Sequence, residues 1–264
     1  MTLELPGAVA VVTGASAGIG RATAKALAAE GADVAVAARR LDRLEELAQE
    51  IEAQGRRALP VRCDVAKRKD VAALRDAVAA EFGRTDVLVN NAGIPGGGMF
   101  ADMRPDGIDA ITKTNLLSVM WATKAFLPMM LERGRGHVVN VASLAGRYAV
   151  PGSTVYSAAK HGVIGFSESL YYELKDRRVL VTAINPGFVA TEGFPHTDKD
   201  PRIVMTPERV AAVIVDVVRR GRAPEVSVPR WIAPGQAFRV LTPPLYRYGL
   251  SRAARAMTGR GRRS

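Results

Sequence analysis

Cysteine and histidine are scarce in this chain of 264 residues. With Cys63 as its one cysteine, the chain can form no internal disulfide. Cys63 falls in an apolar run and is expected to fill core rather than react. Three histidines, His137, His161 and His196, leave no metal-ligand spacing to read. No uncharged apolar run reaches the roughly 18 residues expected of a membrane-crossing helix. The opening residues Met1 to Pro6 lack the basic and then apolar pattern of a secretory leader, so the expectation is a cytoplasmic protein. Acidic residues are scarce in one region only. From Arg219 to Ser264 there are 11 arginines and one acid, Glu225, a local net charge of +10. The 218 residues before them carry a net charge of only +1.

That asymmetry points to a polyanionic contact or to a merely solubilising tail. Trp231, Phe238, Leu241, Tyr246 and Tyr248 are interleaved with its arginines. Such interleaving suits a segment lying on an anionic membrane surface, which would make the protein peripheral there. It equally suits a tail packed across a partner subunit. No recognised nucleic-acid-binding fold accompanies the arginines, so nucleic acid is not an expected partner.

Upstream of the tail, short apolar runs alternate with helical patterns. Strands are expected at 9–12, 34–37, 58–63, 87–89, 137–141, 180–184 and 226–228. Helices are expected at about 21–30, 41–54, 71–82, 112–132, 156–175 and 207–219. This alternation predicts an α/β fold, a doubly wound, Rossmann-like parallel sheet covered on both faces. The expected division is one catalytic domain over 1–230 and a basic extension over 231–264. The helix at 112–132 carries more apolar residues than one sheet face requires, among them Leu116, Leu117, Met120, Trp121, Phe126 and Leu127. The surplus is either a subunit interface or deep burial.

Between the first strand and first helix lies Thr13-Gly14-Ala15-Ser16-Ala17-Gly18-Ile19-Gly20. Glycines there let the backbone turn tightly and approach a pyrophosphate, which a helix N-terminus favours. The second strand ends Ala37-Ala38-Arg39-Arg40 and no carboxylate closes it. An acid at this place would hold a ribose 2′-hydroxyl, whereas arginine accommodates a 2′-phosphate. NADP(H) is therefore the expected cofactor. Further along, Tyr156 and Lys160 are four apart and share a helix face. A phenol ionises near pH 10, and a neighbouring ammonium favours its phenolate, so the pair can serve as a general acid/base.

Taken together, T-G-x-x-x-G-x-G, Asn90-Asn91-Ala92-Gly93, Ser143, Tyr156-x-x-x-Lys160 and Pro186-Gly187 resemble the short-chain dehydrogenase/reductase family over about residues 5–230. The resemblance assigns catalysis to Asn115, Ser143, Tyr156 and Lys160. It assigns cofactor binding to Gly14, Ser16, Gly18, Ile19, Gly20, Arg39, Arg40, Asp64, Val65, Asn91, Gly93, Tyr156, Lys160, Pro186, Gly187, Val189 and Thr191. By that resemblance Tyr156 donates a proton to the carbonyl oxygen, Ser143 hydrogen-bonds the same oxygen, and Lys160 lowers the phenol pKa. Asn115 would hold a water leading to Lys160. Asp64 would face the adenine amine, and the segment from Pro186 to Thr191 the carboxamide.

Substrate walls are expected at 94–100, 145–151 and 192–205, the last with Phe194, Pro195 and Ile203 as apolar groups. The implied activity is NADP(H)-dependent interconversion of a hydrophobic secondary alcohol and a ketone by a homodimer or tetramer. One alternative is reduction of a 3-oxoacyl thioester held on an acyl carrier. Another is a non-catalytic dinucleotide sensor, against which the complete Asn-Ser-Tyr-Lys set speaks.

Overall fold

The computed structural model describes residues 2–193, 203–229, 239, 241–245 and 247–248. Seven parallel strands form one sheet: β1 (Val9–Thr13), β2 (Asp33–Ala38), β3 (Ala58–Arg62), β4 (Val87–Asn90), β5 (Gly136–Val141), β6 (Val179–Pro186) and β7 (Glu225–Val228). Their spatial order is β3-β2-β1-β4-β5-β6-β7. The connecting helices are α1 (Gly18–Ala29), α2 (Leu41–Glu52), α3 (Arg68–Phe82), α4 (Pro105–Thr112), α5 (Ser118–Arg133), α6 (Thr154–Leu174) and α7 (Pro207–Arg220). The chain is thus the doubly wound α/β fold that its alternating pattern implies.

Central strands are buried on both faces, which is why they read as apolar runs rather than alternating ones. Successive side chains nevertheless part to opposite sides. Ala10, Val12, Val34 and Val36 pack with Leu27, Leu44 and Ile214 beneath α1, α2 and α7. Val9, Val11, Ala35 and Ala37 pack with Leu74, Phe126 and Met130 beneath α3 and α5. The edge strand β3 is only half-buried.

The helix expected from 112 begins earlier, at Pro105, because proline suits the first helical turn. A wider, π-helical turn over Lys113–Leu117 joins α4 to α5. Such single wide turns recur at functional sites, and this one carries Asn115. Of the surplus apolar residues, Phe126 is wholly buried, while Leu116, Leu117, Met120, Trp121 and Leu127 are half-buried.

The chain order reverses at β1, whose neighbours are β2 and β4. A doubly wound sheet opens its crevice at the carboxyl ends of such strands. Among the described residues no helix is long and apolar enough to cross a membrane. Phe194, Pro195, His196 and most of the basic extension lie outside the described residues. Of the extension, Arg239 lies against α6, its guanidinium 3.4 Å from His161 Nε2.

Candidate active site

The loop after β1 and the exit of β4 are stitched together. Thr13 Oγ1 accepts the backbone N–H groups of Asn91 at 3.1 Å and Ala92 at 3.2 Å. Asn91 Nδ2 returns hydrogen bonds to the carbonyls of Thr13 at 3.0 Å and Gly14 at 3.2 Å. The space is so tight that only glycine fits. Gly14 has φ +66°, and a Cβ there would sit 2.7 Å from Ala92 Cα. At Gly20 a Cβ would sit 2.3 Å from the Gly14 carbonyl oxygen. No side chain caps the start of α1 and no acid lies in its first turn. Its free N–H groups and dipole are left for an anion.

At the other end of this cradle, Arg40 reaches back over the loop. Its Nη2 donates to Ser16 Oγ at 3.1 Å, and its fork meets Glu192 Oε1 and Oε2 at 3.0 and 2.9 Å. Those bonds hold the Arg40 guanidinium above, and the Glu192 carboxyl below, their ordinary pKa values. Asp64 turns its Oδ1 to the Ala66 N–H at 3.1 Å, and Lys67 lies 3.7 Å from its Oδ2. Its remaining lone pairs stay available to a ligand. Beside it Cys63 is buried, which pushes its thiol up to about 12, so it packs rather than reacts.

The four residues expected to be catalytic come from three elements. Ser143 lies two residues beyond the end of β5 and accepts the Ala145 N–H at 3.1 Å. Its hydroxyl bonds that of Tyr156, on the first turn of α6. One turn later Lys160 lies 5.7 Å from the centre of the tyrosine ring. It is buried, and its Nζ donates to the Val141 carbonyl at 2.8 Å. Burial lowers its pKa to about 8. Burial likewise raises the Tyr156 phenol above its ordinary value, against the opposing pull of the Ser143 bond. Lys160 was expected to lower that phenol. In this geometry desolvation wins, because both groups are deep in protein and each disfavours its own ionised or charged state.

Asn115 is fully buried in the wide turn. Its Oδ1 accepts the Ile94 N–H at 2.8 Å and its Nδ2 donates to the Ile94 carbonyl at 2.9 Å. Both ends of the amide therefore clamp the segment leaving β4. The expected water contact would use the second N–H of Nδ2 or the second lone pair of Oδ1.

Apart from Asn115 and Gly20, every residue expected to bind or react lines one cleft of about 1010 Å³. Gly20 and Asn115 stand directly behind its wall. The cleft's lining includes the apolar side chains of Ile94, Leu144, Val150, Phe188, Ile203 and Met205. Thr191 closes on Gly18, whose Cβ would lie 2.9 Å from the threonine Cγ2. Val189 pairs with Met205 across the base of the following loop. Of the expected walls, Ile94 to Gly96 line the cleft, and Gly97 to Phe100 do not.

Leu144, Phe188 and Arg209 were missed by sequence reasoning. Phe188 carried a signal, since it sits inside the Pro186 to Thr191 segment between two residues already assigned. A buried polar chain was missed as well. Asn90 Nδ2 donates to Asn140 Oδ1 at 2.8 Å, and Asn140 Nδ2 to Ser167 Oγ at 2.9 Å. It ties β4 and β5 to α6 just beneath the site.

Comparison with known proteins agrees with this architecture. The family profile of short chain dehydrogenase matches residues 8–202. A 3-oxoacyl-[acyl-carrier-protein] reductase of Synechocystis sp. is 41% identical over 200 residues, covering 75% of this chain and 81% of the relative. A short chain dehydrogenase/reductase from Burkholderia phymatum, solved with NAD, superposes with a TM-score of 0.83 at 27% identity, over 92% of this chain and 96% of that one. An actinorhodin polyketide ketoreductase variant, solved with NADPH, has a TM-score of 0.79 at 34% identity, over 86% and 97%. The chain belongs to the short-chain dehydrogenase/reductase family and is an oxidoreductase of that class.

Proposed function

We propose that this enzyme reduces a hydrophobic ketone to a secondary alcohol, and runs the reverse reaction, with NADP(H). The observation that carries the reading is the meeting of Ser143, Tyr156 and Lys160 on one wall of a cleft whose other end is a glycine cradle. That cradle fits a dinucleotide: three glycines stand where a Cβ would strike backbone or Thr191, beside the open N-terminus of α1. The cleft volume is at the upper end for a ligand pocket, which leaves room for a substrate beside the cofactor. Arg39 and Arg40 line its adenosine end, and Arg40 presents a fork suited to a phosphate.

When bound, the reduced nicotinamide supplies the hydride. The chain's own groups manage the charge that grows on the substrate oxygen. Tyr156 holds its proton firmly at neutral pH because burial raises its pKa, and it gives that proton to the oxygen as the charge develops. Ser143, already bonded to the phenol, donates to the same oxygen and fixes its place. Lys160 keeps a positive charge behind the phenol below pH about 8. Asn115 holds the Ile94 segment that forms the facing wall. Leu144, Val150 and Phe188 offer apolar surface to the substrate.

A second reading narrows the substrate to a 3-oxoacyl thioester. It is favoured by the 41% identity to the Synechocystis reductase. One experiment tests both. Simple lipophilic ketones and 3-oxoacyl thioesters are offered with NADPH and with NADH, to the wild type and to Tyr156→Phe. The Phe variant should bind dinucleotide normally and lose about 10²- to 10⁴-fold in turnover, the usual contribution of a general acid. Near wild-type turnover in that variant would refute the assignment. Turnover of thioesters alone would select the second reading.

A further inference from the structure

Glu192 and Arg40 are 152 residues apart in sequence, yet they form a bidentate pair across the mouth of the cleft. Both line it, at the end where the ribose of a dinucleotide would lie. The pair is anchored on the phosphate loop, because Arg40 also donates to Ser16 Oγ. On the other side it is anchored through Thr191, which packs on Gly18, and through Val189, paired with Met205. Glu192 is therefore delivered to Arg40 by a framework and does not wander there as a free surface acid.

A planar guanidinium has one face suited to a two-oxygen partner, and carboxylate and phosphate compete for that face. The geometry points to Glu192 as an intramolecular competitor of the 2′-phosphate for Arg40, and hence as a residue that lowers the preference of this enzyme for NADP(H) over NAD(H). This rests on the reading of Arg40 as a phosphate ligand. A phosphomonoester carries more charge and more acceptor oxygens than a carboxylate, so it wins the guanidinium, but only against a competitor at very high local concentration. NADH makes no demand on Arg40 and meets no such competition. Discrimination is a difference between two affinities, and Glu192 acts on one of them. The neighbourhood contains both elements that sequence patterns separate: bases that welcome the phosphate, and an acid that holds one of them back.

The size follows from the exposure of the pair, whose side chains are 43% and 60% exposed. Exposed ion pairs are weak, so Arg40 is free for an appreciable fraction of the time. Dividing the intrinsic affinity by that fraction gives a penalty of about 2- to 6-fold on the phosphorylated ligand.

The test uses binding, with probes that need no turnover. Dissociation constants for 2′,5′-ADP, 5′-AMP, NADPH and NADH are measured on the full chain by calorimetry. Glu192→Gln keeps the size of the side chain and removes its charge. It should tighten 2′,5′-ADP and NADPH about 2- to 6-fold and leave 5′-AMP and NADH unmoved. An equal change for both members of each pair, or weaker binding of the phosphorylated ones, overturns the inference. Arg40→Ala separates it from the underlying reading. If Arg40→Ala leaves 2′,5′-ADP binding unchanged, Arg40 is not a phosphate ligand and both fall. If Arg40→Ala weakens 2′,5′-ADP while Glu192→Gln does nothing, the cofactor reading stands and the competition is refuted. In the double variant the effect of Glu192→Gln should vanish. Its persistence in full would mean that Glu192 repels the phosphate directly, against competition for Arg40.

Discussion

The ammonium of Lys160 lies 2.8 Å from the carbonyl oxygen of Val141, the last residue of β5. This bond joins the catalytic helix to the sheet and fixes the lysine behind the tyrosine ring. Burial alone brings its pKa to about 8.

The pH dependence of ketone reduction follows from that value. Below pH about 8 Lys160 is charged, and above it the charge is lost. In the proposed reaction the proton leaves Tyr156, and a positive neighbour stabilises the phenolate left behind. Reduction at saturating cofactor should therefore be flat at neutral pH. It should decline by about tenfold per unit well above pH 8, and a stopped-flow pH series would show it. A profile flat to pH 10 would mean that the lysine keeps its proton and that the burial argument is wrong.

Asn115→Ala removes both hydrogen bonds to the half-buried backbone of Ile94. Each lost hydrogen bond of this half-exposed kind costs about 0.5–1.5 kcal/mol. Denaturant unfolding should show a loss of about 1–3 kcal/mol, with a fall in turnover as the facing wall loosens. Turnover lost at unchanged stability would instead point to the proton-relay role.

Two glycines should answer alanine in opposite ways. Gly20→Ala would push a methyl carbon to 2.3 Å from the Gly14 carbonyl, and backbone cannot yield as a flexible side chain does. Dinucleotide affinity should fall by at least about tenfold, since a misplaced cradle loses more than one hydrogen bond's worth of binding. Gly165, in the middle of α6, has nothing within 4 Å of a new Cβ. Gly165→Ala should raise stability by about 0.5–1 kcal/mol and leave binding alone.

His137 is buried in β5, and its Nε2 meets Thr182 Oγ1 at 2.7 Å. Burial lowers its pKa to about 3 from the ordinary 6.5. Between those values the unfolded chain binds a proton that the folded chain does not. Stability from this group is complete above pH 6.5 and is lost as pH falls towards 3. The loss should reach up to about 5 kcal/mol. His137→Gln should flatten the slope of unfolding free energy with pH over that window, which chemical denaturation at several pH values would reveal.

The arginine-rich extension carries a prediction from charge alone. With a net charge of +10 from Arg219 onward, the protein should co-sediment with phosphatidylserine vesicles at low salt and release as salt rises. A chain ending at Pro234 should lose that binding and keep cofactor binding. If the full chain ignores the vesicles and the shortened chain changes its oligomeric state, the extension serves subunit packing.

Periodicity and motif spacing determined the strand–helix alternation, the glycine cradle and the order of Ser143, Tyr156 and Lys160. These are local properties. A parallel strand buried on both faces must be an apolar run, a tight phosphate turn must be glycine, and residues four apart on a helix must share a face. Even the misplaced start of the helix at 112 was a local error, since Pro105 opens a helix that the wide turn around Asn115 carries on. What the chain could not disclose alone depends on distant residues meeting. The pairing of Asn115 with Ile94, the Asn90–Asn140–Ser167 chain, and the raised phenol of Tyr156 all arise from burial between elements. The union of Arg40 with Glu192 is the clearest case. Arg40 is expected to hold phosphate from its place after β2, but Glu192 follows β6, with three strands between the two in the sheet. Only the parallel strands, whose carboxyl ends share one edge, and the loops leaving them bring the two side chains to one cleft.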